Sequence, residues 1–167
     1  DLSMLGGVTL ASAVVDYAQN SISFNTARPV FGKAPVSAKV SVRGGSFSTL
    51  MPSARLDFRL SDRLSLSAHA DAVTYKGNYE YGDGNIRQNN DLKQFRGGLD
   101  LFGLMEGGEY HVKAWYNDAE RGTPGSVDWP SEDRQSDRNA FIQAVARKSF
   151  TSAYTLDISA KAALDEI

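Results

Sequence analysis

From residue 36 to the end of the chain, apolar and polar residues alternate one by one in run after run. A side-chain period of two belongs to a β-strand, where neighbouring residues point to opposite faces, and it excludes an amphipathic helix over the same span. In Val36–Arg43 one face holds Val36, Ala38, Val40 and Val42, and the other Ser37, Lys39, Ser41 and Arg43. Ala54–Leu60 sets Ala54, Leu56, Phe58 and Leu60 against Arg55, Asp57 and Arg59. Leu64–Tyr75, Leu92–Gly103, Glu109–Asp118 and Tyr154–Leu164 repeat the pattern. In Asn139–Ser149 the pairs Phe141-Ile142 and Val145-Ala146 place apolar groups on both faces, so its orientation stays open. The expectation is an all-β fold: an antiparallel up-and-down meander of about seven strands.

The connections alternate as well. Ser61-Asp62, Leu104–Gly108 and Thr151–Ala153 are short, whereas Lys76–Asp91 and Ala119–Arg138 are long and polar. With a brief turn at Gly44–Met51, every long loop falls at one end of the meander and, after the second strand, every short turn at the other. Transmembrane β-barrels have that asymmetry. A soluble antiparallel sandwich also alternates apolar-in and polar-out. Three features favour part of a transmembrane barrel: strands longer than the usual five or six residues, ions in mid-strand such as Arg55, Asp57 and Arg59, and Tyr110, Tyr116 and Tyr154 at the ends of apolar faces, where an aromatic girdle would stand.

Composition removes other classes. Eighteen basic residues against twenty acidic ones leave a net charge of −2 with no basic field for nucleic acid. With no cysteine there is no disulfide framework, thiolate metal site or cysteine nucleophile. The apolar runs fall far short of the roughly 20 residues of a membrane-spanning helix. The two histidines, His69 and His111, lie singly on polar faces of different strands with no triad motif, and Asp118/Glu120 and Glu132/Asp133 lie in charged loops, so we expect no enzyme. No signal peptide is visible at Asp1–Met4 and no turn closes the run to Ile167, so the expectation is a piece of a longer chain.

Residues 1–35 lack the long alternation. Leu5–Leu10 and Ser21–Thr26 read as short strands, Ala11–Gln19 also suits a helical turn, and Arg28-Pro29 with Gly32 and Pro35 reads as a linker. Met4-Leu5-Gly6-Gly7-Val8-Thr9-Leu10, Asn25–Pro29, Val40–Phe47, Tyr75–Tyr79 with Asn89-Asn90-Asp91, Tyr116-Asn117-Asp118 with Arg121–Val127, and Gln135–Gln143 follow one another in an order that resembles the TonB-dependent outer-membrane receptors, and among them cobalamin, siderophore and haem receptors. The resemblance implies that residues 1–35 are the end of the plug domain with its linker, and that residues 36–167 are the first seven or so strands of a barrel of roughly 22.

On that resemblance the chain serves an active-transport receptor of the Gram-negative outer membrane. Its partners are outer-membrane lipid, a metal-chelate or macrocyclic ligand, and the TonB energy-coupling complex, reached through a part of the receptor outside this sequence. Tyr79, Tyr81, Arg87, Asn89 and Asn90 in one loop and Arg121 and Trp129 in the other offer the aromatic faces and donors such a ligand would use. No cofactor is required. Asp83, Asn85 and Asp91 offer oxygen ligands to calcium, which some cobalamin receptors hold in a nearby loop, although Asp83-Gly84-Asn85 also reads as a turn. A complete small structural outer-membrane barrel and a soluble β-sandwich binding carbohydrate through Trp129, Tyr79 and Tyr81 are the alternatives.

Overall fold

The computed structural model describes residues 5–13, 19–26 and 33–167. Chain contacts separate two units, Asp1–Val30 and Phe31–Ile167. In the first, β1 (Leu5–Ala13) pairs antiparallel with β2 (Gln19–Thr26), with an irregularity between Leu5 and Gly7. Strand β1 continues through Ala11, Ser12 and Ala13, so a helical turn does not begin at Ala11. The remainder of that stretch, 14–18, and most of the expected linker, 27–32, lie outside the described residues.

The second unit is built on one seven-stranded antiparallel sheet. Its strands are β3 (Val36–Gly45), β4 (Thr49–Ser61), β5 (Leu64–Tyr75), β8 (Leu92–Met105), β9 (Gly108–Gly122), β10 (Arg134–Ser149) and β11 (Thr155–Glu166). A two-stranded ribbon, β6 (Glu80–Tyr81) with β7 (Asn85–Ile86), lies between β5 and β8. Each sheet strand pairs with its neighbour in sequence, in the order β11-β10-β9-β8-β5-β4-β3, which is a meander and the connectivity of part of an up-and-down barrel. Among the described residues β3 and β11 are edges.

Register carries each face intact across the sheet. Leu56, Ala68, Leu99, Ala114, Ile142 and Ala162 form one cross-strand row of the apolar face. The next row, Arg55, His69, Gly98, Trp115, Phe141 and Ala163, belongs to the polar face. Strand β10 thereby loses its ambiguity: Ile142 joins the apolar face, while Phe141 turns to the polar face and stacks on Trp115 with ring centroids 5.5 Å apart.

Burial is the reverse of a soluble sheet. Apart from glycines, the buried strand residues are Ser65, Ser67, Asp100, Phe102, Asn117 and Ala119, all on the polar face; Asp100 has no exposed surface. On the apolar face Val40 is 73% exposed and Leu99 51% exposed. No second layer within residues 33–167 covers the apolar side. A single sheet hides one face only by curling, so the polar face is concave and most of its polar side chains pair with one another there, while Ser65 Oγ, His69 Nδ1 and Asp100 Oδ2 have no hydrogen-bond partner. Arg96 and Asp71 pair at 2.6 Å, and Arg55 with Asp57 at 2.9 Å. Gln94, Asn117, Asn139 and Asp165 form a hydrogen-bonded ladder across β8 to β11, each amide nitrogen donating to the side-chain oxygen of the next strand.

The ends differ from the expected boundaries for local reasons. Strand β4 starts at Thr49, well before Ala54, and pairs with β5 at Leu50 and again from Ser53. Pro52, which has no N–H to give, sits in that gap. The expected long loop Ala119–Arg138 shrinks to 123–133, because Gly122 pairs with Arg134 and the ladder runs on between β9 and β10. Ion pairs Arg121–Asp137 and Arg134–Glu120 span that extension.

On the apolar face Gly103 lies beneath the Tyr110 ring, and a Cβ there would fall 2.0 Å from Cζ. Gly103→Ala is therefore expected to push the ring away and lower stability by about 1–3 kcal/mol, read as a lower urea midpoint of the full-length protein. Combining it with Tyr110→Ala should remove most of that additional penalty, because the three atoms nearest the added Cβ all belong to Tyr110.

Candidate functional site

Three connections meet at the same end of the sheet: the β3–β4 turn, the Lys76–Asp91 loop with its β6–β7 ribbon, and the 123–133 loop. The turn is tight, with Thr49 N–H donating to Ser46 O, and both Phe47 (φ 58°) and Ser48 (φ 59°) are left-handed. A hairpin turn of that hand suits the sheet twist but favours Gly, Asn or Asp. A Phe there is strained, and such strain marks positions held for a purpose. What it achieves is ring placement: Phe47 meets Tyr75 edge-on at 6.4 Å and Tyr79 at 6.0 Å, and Tyr79 meets Tyr81 at 6.4 Å. Four aromatic rings thus form a continuous group along the rim.

The two long loops are tied together through Asn89 and Arg134. Asn89, left-handed at φ 50°, donates its amide to the carbonyls of Ser131 (2.9 Å) and Asp133 (2.7 Å). Arg134 forks onto both Asp91 oxygens at 3.0 and 2.8 Å and reaches Glu120 at 2.6 Å. Arg87 donates to the carbonyl of Gly125. Loops that are separate in sequence are one braced structure in space.

Each expected ligand residue can be placed against this frame. Tyr79 and Tyr81 belong to the aromatic group. Trp129 stands at the tip of the 123–133 loop, 82% exposed. Arg87 and Asn89 are the braces just described, and Asn90 donates to Gly77 O at 3.1 Å within its own loop. Arg121 pairs with Asp137 at 2.9 Å. The aromatic residues are thus presented outward, while most of the polar ones hold the loops in shape. Phe47, Tyr75 and Arg134 were not singled out from sequence; a Phe and a Tyr at the two strand ends flanking one rim were the signal available for the first two.

The calcium triplet has divided positions. Asp83 lies in the turn of the β6–β7 ribbon, between Gly82 (φ 58°) and Gly84 (φ 86°), Asn85 opens β7, and Asp91 is engaged by Arg134. Among the described residues no three His, Cys, Asp or Glu side chains are grouped as a metal site would need.

On the concave face the two histidines, isolated in sequence, converge. His111 Nε2 lies 2.9 Å from Asp100 Oδ1 and stacks on Phe102 at 4.2 Å, and His69 Nδ1 lies 3.8 Å from Asp100 Oδ2. Ser67 Oγ donates to Asp57, not to either imidazole. Register places Asp100 opposite Ser67 and Lys113, two rows from His69 on one side and two from His111 on the other and so on the same face, which no single-strand motif could reveal.

The Arg134 guanidinium holds the Asp91 carboxyl below its ordinary value of 3.8, and its bonds to Asp91 and then Glu120 raise the Arg134 pKa in turn. A depressed carboxylate stabilises the fold above its ordinary value, and the contribution is lost as pH falls through the lowered one. The pair is solvent-exposed, so screening keeps its contribution to stability small. Arg134→Gln should lower amide protection factors in both 76–91 and 123–133 at neutral pH, and acidification toward pH 3 should lower the same protection factors in the unaltered protein, measured against the intrinsic exchange rate at each pH; Asp91→Asn should abolish that acid response. In comparison with family models, curated proteins and solved structures, the chain matches none.

Proposed function

We propose that this chain is the wall and rim of an outer-membrane active-transport receptor that binds a metal chelate or macrocycle, such as a cobalamin, siderophore or haem, and imports it with TonB-coupled energy. The observation that carries the membrane part is the inverted burial. Leu56, Leu99, Ile142 and Ile158 are exposed on the convex face while Ser67, Asp100 and Asn117 are buried on the concave one. In water such a surface favours association; against lipid it is the favoured arrangement, with a polar lumen inside.

The height of the apolar band agrees. On β8 it runs from Phe95 to Gly103, about 26 Å along the strand and about 20 Å after a barrel's tilt, near the apolar band of known barrels. At its loop end, in the same cross-strand row as Phe95 and on the same outward face, Arg138 pairs with Asp118 at 3.7 Å and with Glu166 at 3.1 Å, where a charged ring belongs in the headgroup region. The open edges β3 and β11 would be unsatisfied in lipid, so on this reading further strands of the receptor pair with them.

The long loops then face the outside of a Gram-negative cell, and the Phe47, Tyr75, Tyr79 and Tyr81 group forms part of the ligand-binding rim, with Trp129 nearby in the loop system. The β1–β2 hairpin belongs, on the same reading, to the end of the plug, and energy enters through receptor segments that contact the TonB complex. Calcium bound by Asp83, Asn85 or Asp91 is an optional element of this proposal.

Two measurements test it in the full-length protein. Leu99→Arg should cost about 2–4 kcal/mol of folding stability in lipid bilayers, whereas a receptor that folds without lipid or detergent and tolerates this change would refute the membrane reading. For the ligand, growth on cobalamin, ferric siderophore or haem as sole source should depend on the protein. Replacing Tyr79 and Tyr81 together by Ala should weaken binding of the supporting compound about tenfold, roughly 1.4 kcal/mol.

A further inference from the structure

The tip of the 123–133 loop combines full exposure with tight bracing. Trp129 is 82% exposed and Val127 58% exposed. Beneath them the loop is stitched shut: Gly125 and Pro130 form a β-bridge, Ser131 N–H donates to Pro124 O, and Thr123 donates twice to Asp133 O. The Trp129 N–H is held by Ser126 Oγ at 3.1 Å, and Arg87 and Asn89 fasten the loop from outside. A loop ordered to this degree could have folded its indole inward. It presents the ring on a backbone already arranged, so little backbone order is lost on contact.

We infer that this tip is a docking knob for another protein, one with an apolar socket bordered by basic residues. The shape argues for a protein: small-molecule sites are concave, whereas Trp129 protrudes from the tip of its loop, 82% exposed. Exposed Trp side chains are prominent among the residues that dominate protein interfaces. Charge specifies the partner. Residues 122–133 contain Asp128, Glu132 and Asp133 and no Lys or Arg. Arg87 donates to the Gly125 carbonyl and Arg134 is held by Asp91 and Glu120, and neither pairs with Asp128, Glu132 or Asp133, so these carboxylates are left to steer a cationic rim. A lipid anchor is disfavoured by position, because the tip lies beyond the charged Asp118, Arg138 and Glu166 that end the apolar band.

The inference takes from the proposed function only that this end faces the cell exterior, and the two can be tested apart. The chain has no cysteine, so Trp129→Cys in the full-length protein gives a single reactive site within this segment. Labelling of the introduced thiol by a membrane-impermeant maleimide in intact native cells is expected; its failure overturns the orientation and the knob together. With exposure established, a benzophenone side chain at position 129 should photo-crosslink to one protein of discrete size, and the same group at Asp62 on the opposite-end turn should not. The yield should fall at least tenfold in the Asp128→Lys, Glu132→Lys double variant. It should fall likewise in Gly125→Ala, which keeps the residue at position 129 but forces a Cβ against the Trp129 carbonyl at a left-handed φ of 67°. An adduct indifferent to both changes, labelling confined to lipid or glycan, or no adduct from an exposed position 129 overturns the docking proposal and leaves the receptor reading standing.

Discussion

Everything in the second unit depends on the polar interactions packed into the concave face of one sheet. A single layer offers two environments, and the register of β4, β5, β8 and β9 commits the mid-strand charges Arg55, Asp57, Asp71, Arg96, Asp100 and Lys113 to the same one. Asp100 is the centre of that commitment, fully buried yet reached by His111 and lying close to His69 and Lys113. A buried carboxylate is tolerated only where such partners surround it, and removing one is far more disruptive than losing an exposed pair. A register slip of one residue would carry Asp100, Ser67 and Arg96 to the apolar side and Leu99 to the polar side. The polar network therefore specifies the pairing of the sheet as firmly as a hydrophobic core does in a soluble protein.

At the loop end the same sharing of partners produces rigidity of a different kind. Arg134 and Asn89 direct their donors to other segments, so two loops far apart in sequence share one shape. Polar residues that look available for a ligand are thereby divided from the aromatic ones. Arg87, Asn89 and Asn90 maintain the loops, and the aromatic side chains above them are what the loops present. The strained Phe47 turn fits this division, since its ring joins Tyr75 and Tyr79.

Much of this was legible in the residue order. Period-two alternation names strands, and short connections such as Ser61-Asp62 allow only antiparallel neighbours, so the meander follows from local rules. The strand ends and the loops were less legible. Pairing of Gly122 with Arg134 rests on contacts between β9 and β10 that neither segment announces alone. Strand β10 could not be oriented from its own pattern, because Phe141 faces the polar side for the sake of Trp115 on the neighbouring strand.

The sequence by itself determined that the chain forms long antiparallel strands with one apolar and one polar face, because side-chain direction in a strand is a local property of the backbone. Only the tertiary structure decided which face is concealed, and it concealed the polar one. It also gathered His69, His111 and Asp100 from three strands and divided the loop residues into braces and presented rings. Those outcomes depend on cross-strand register and on the curl of the sheet, which arise between segments and have no counterpart within any one of them.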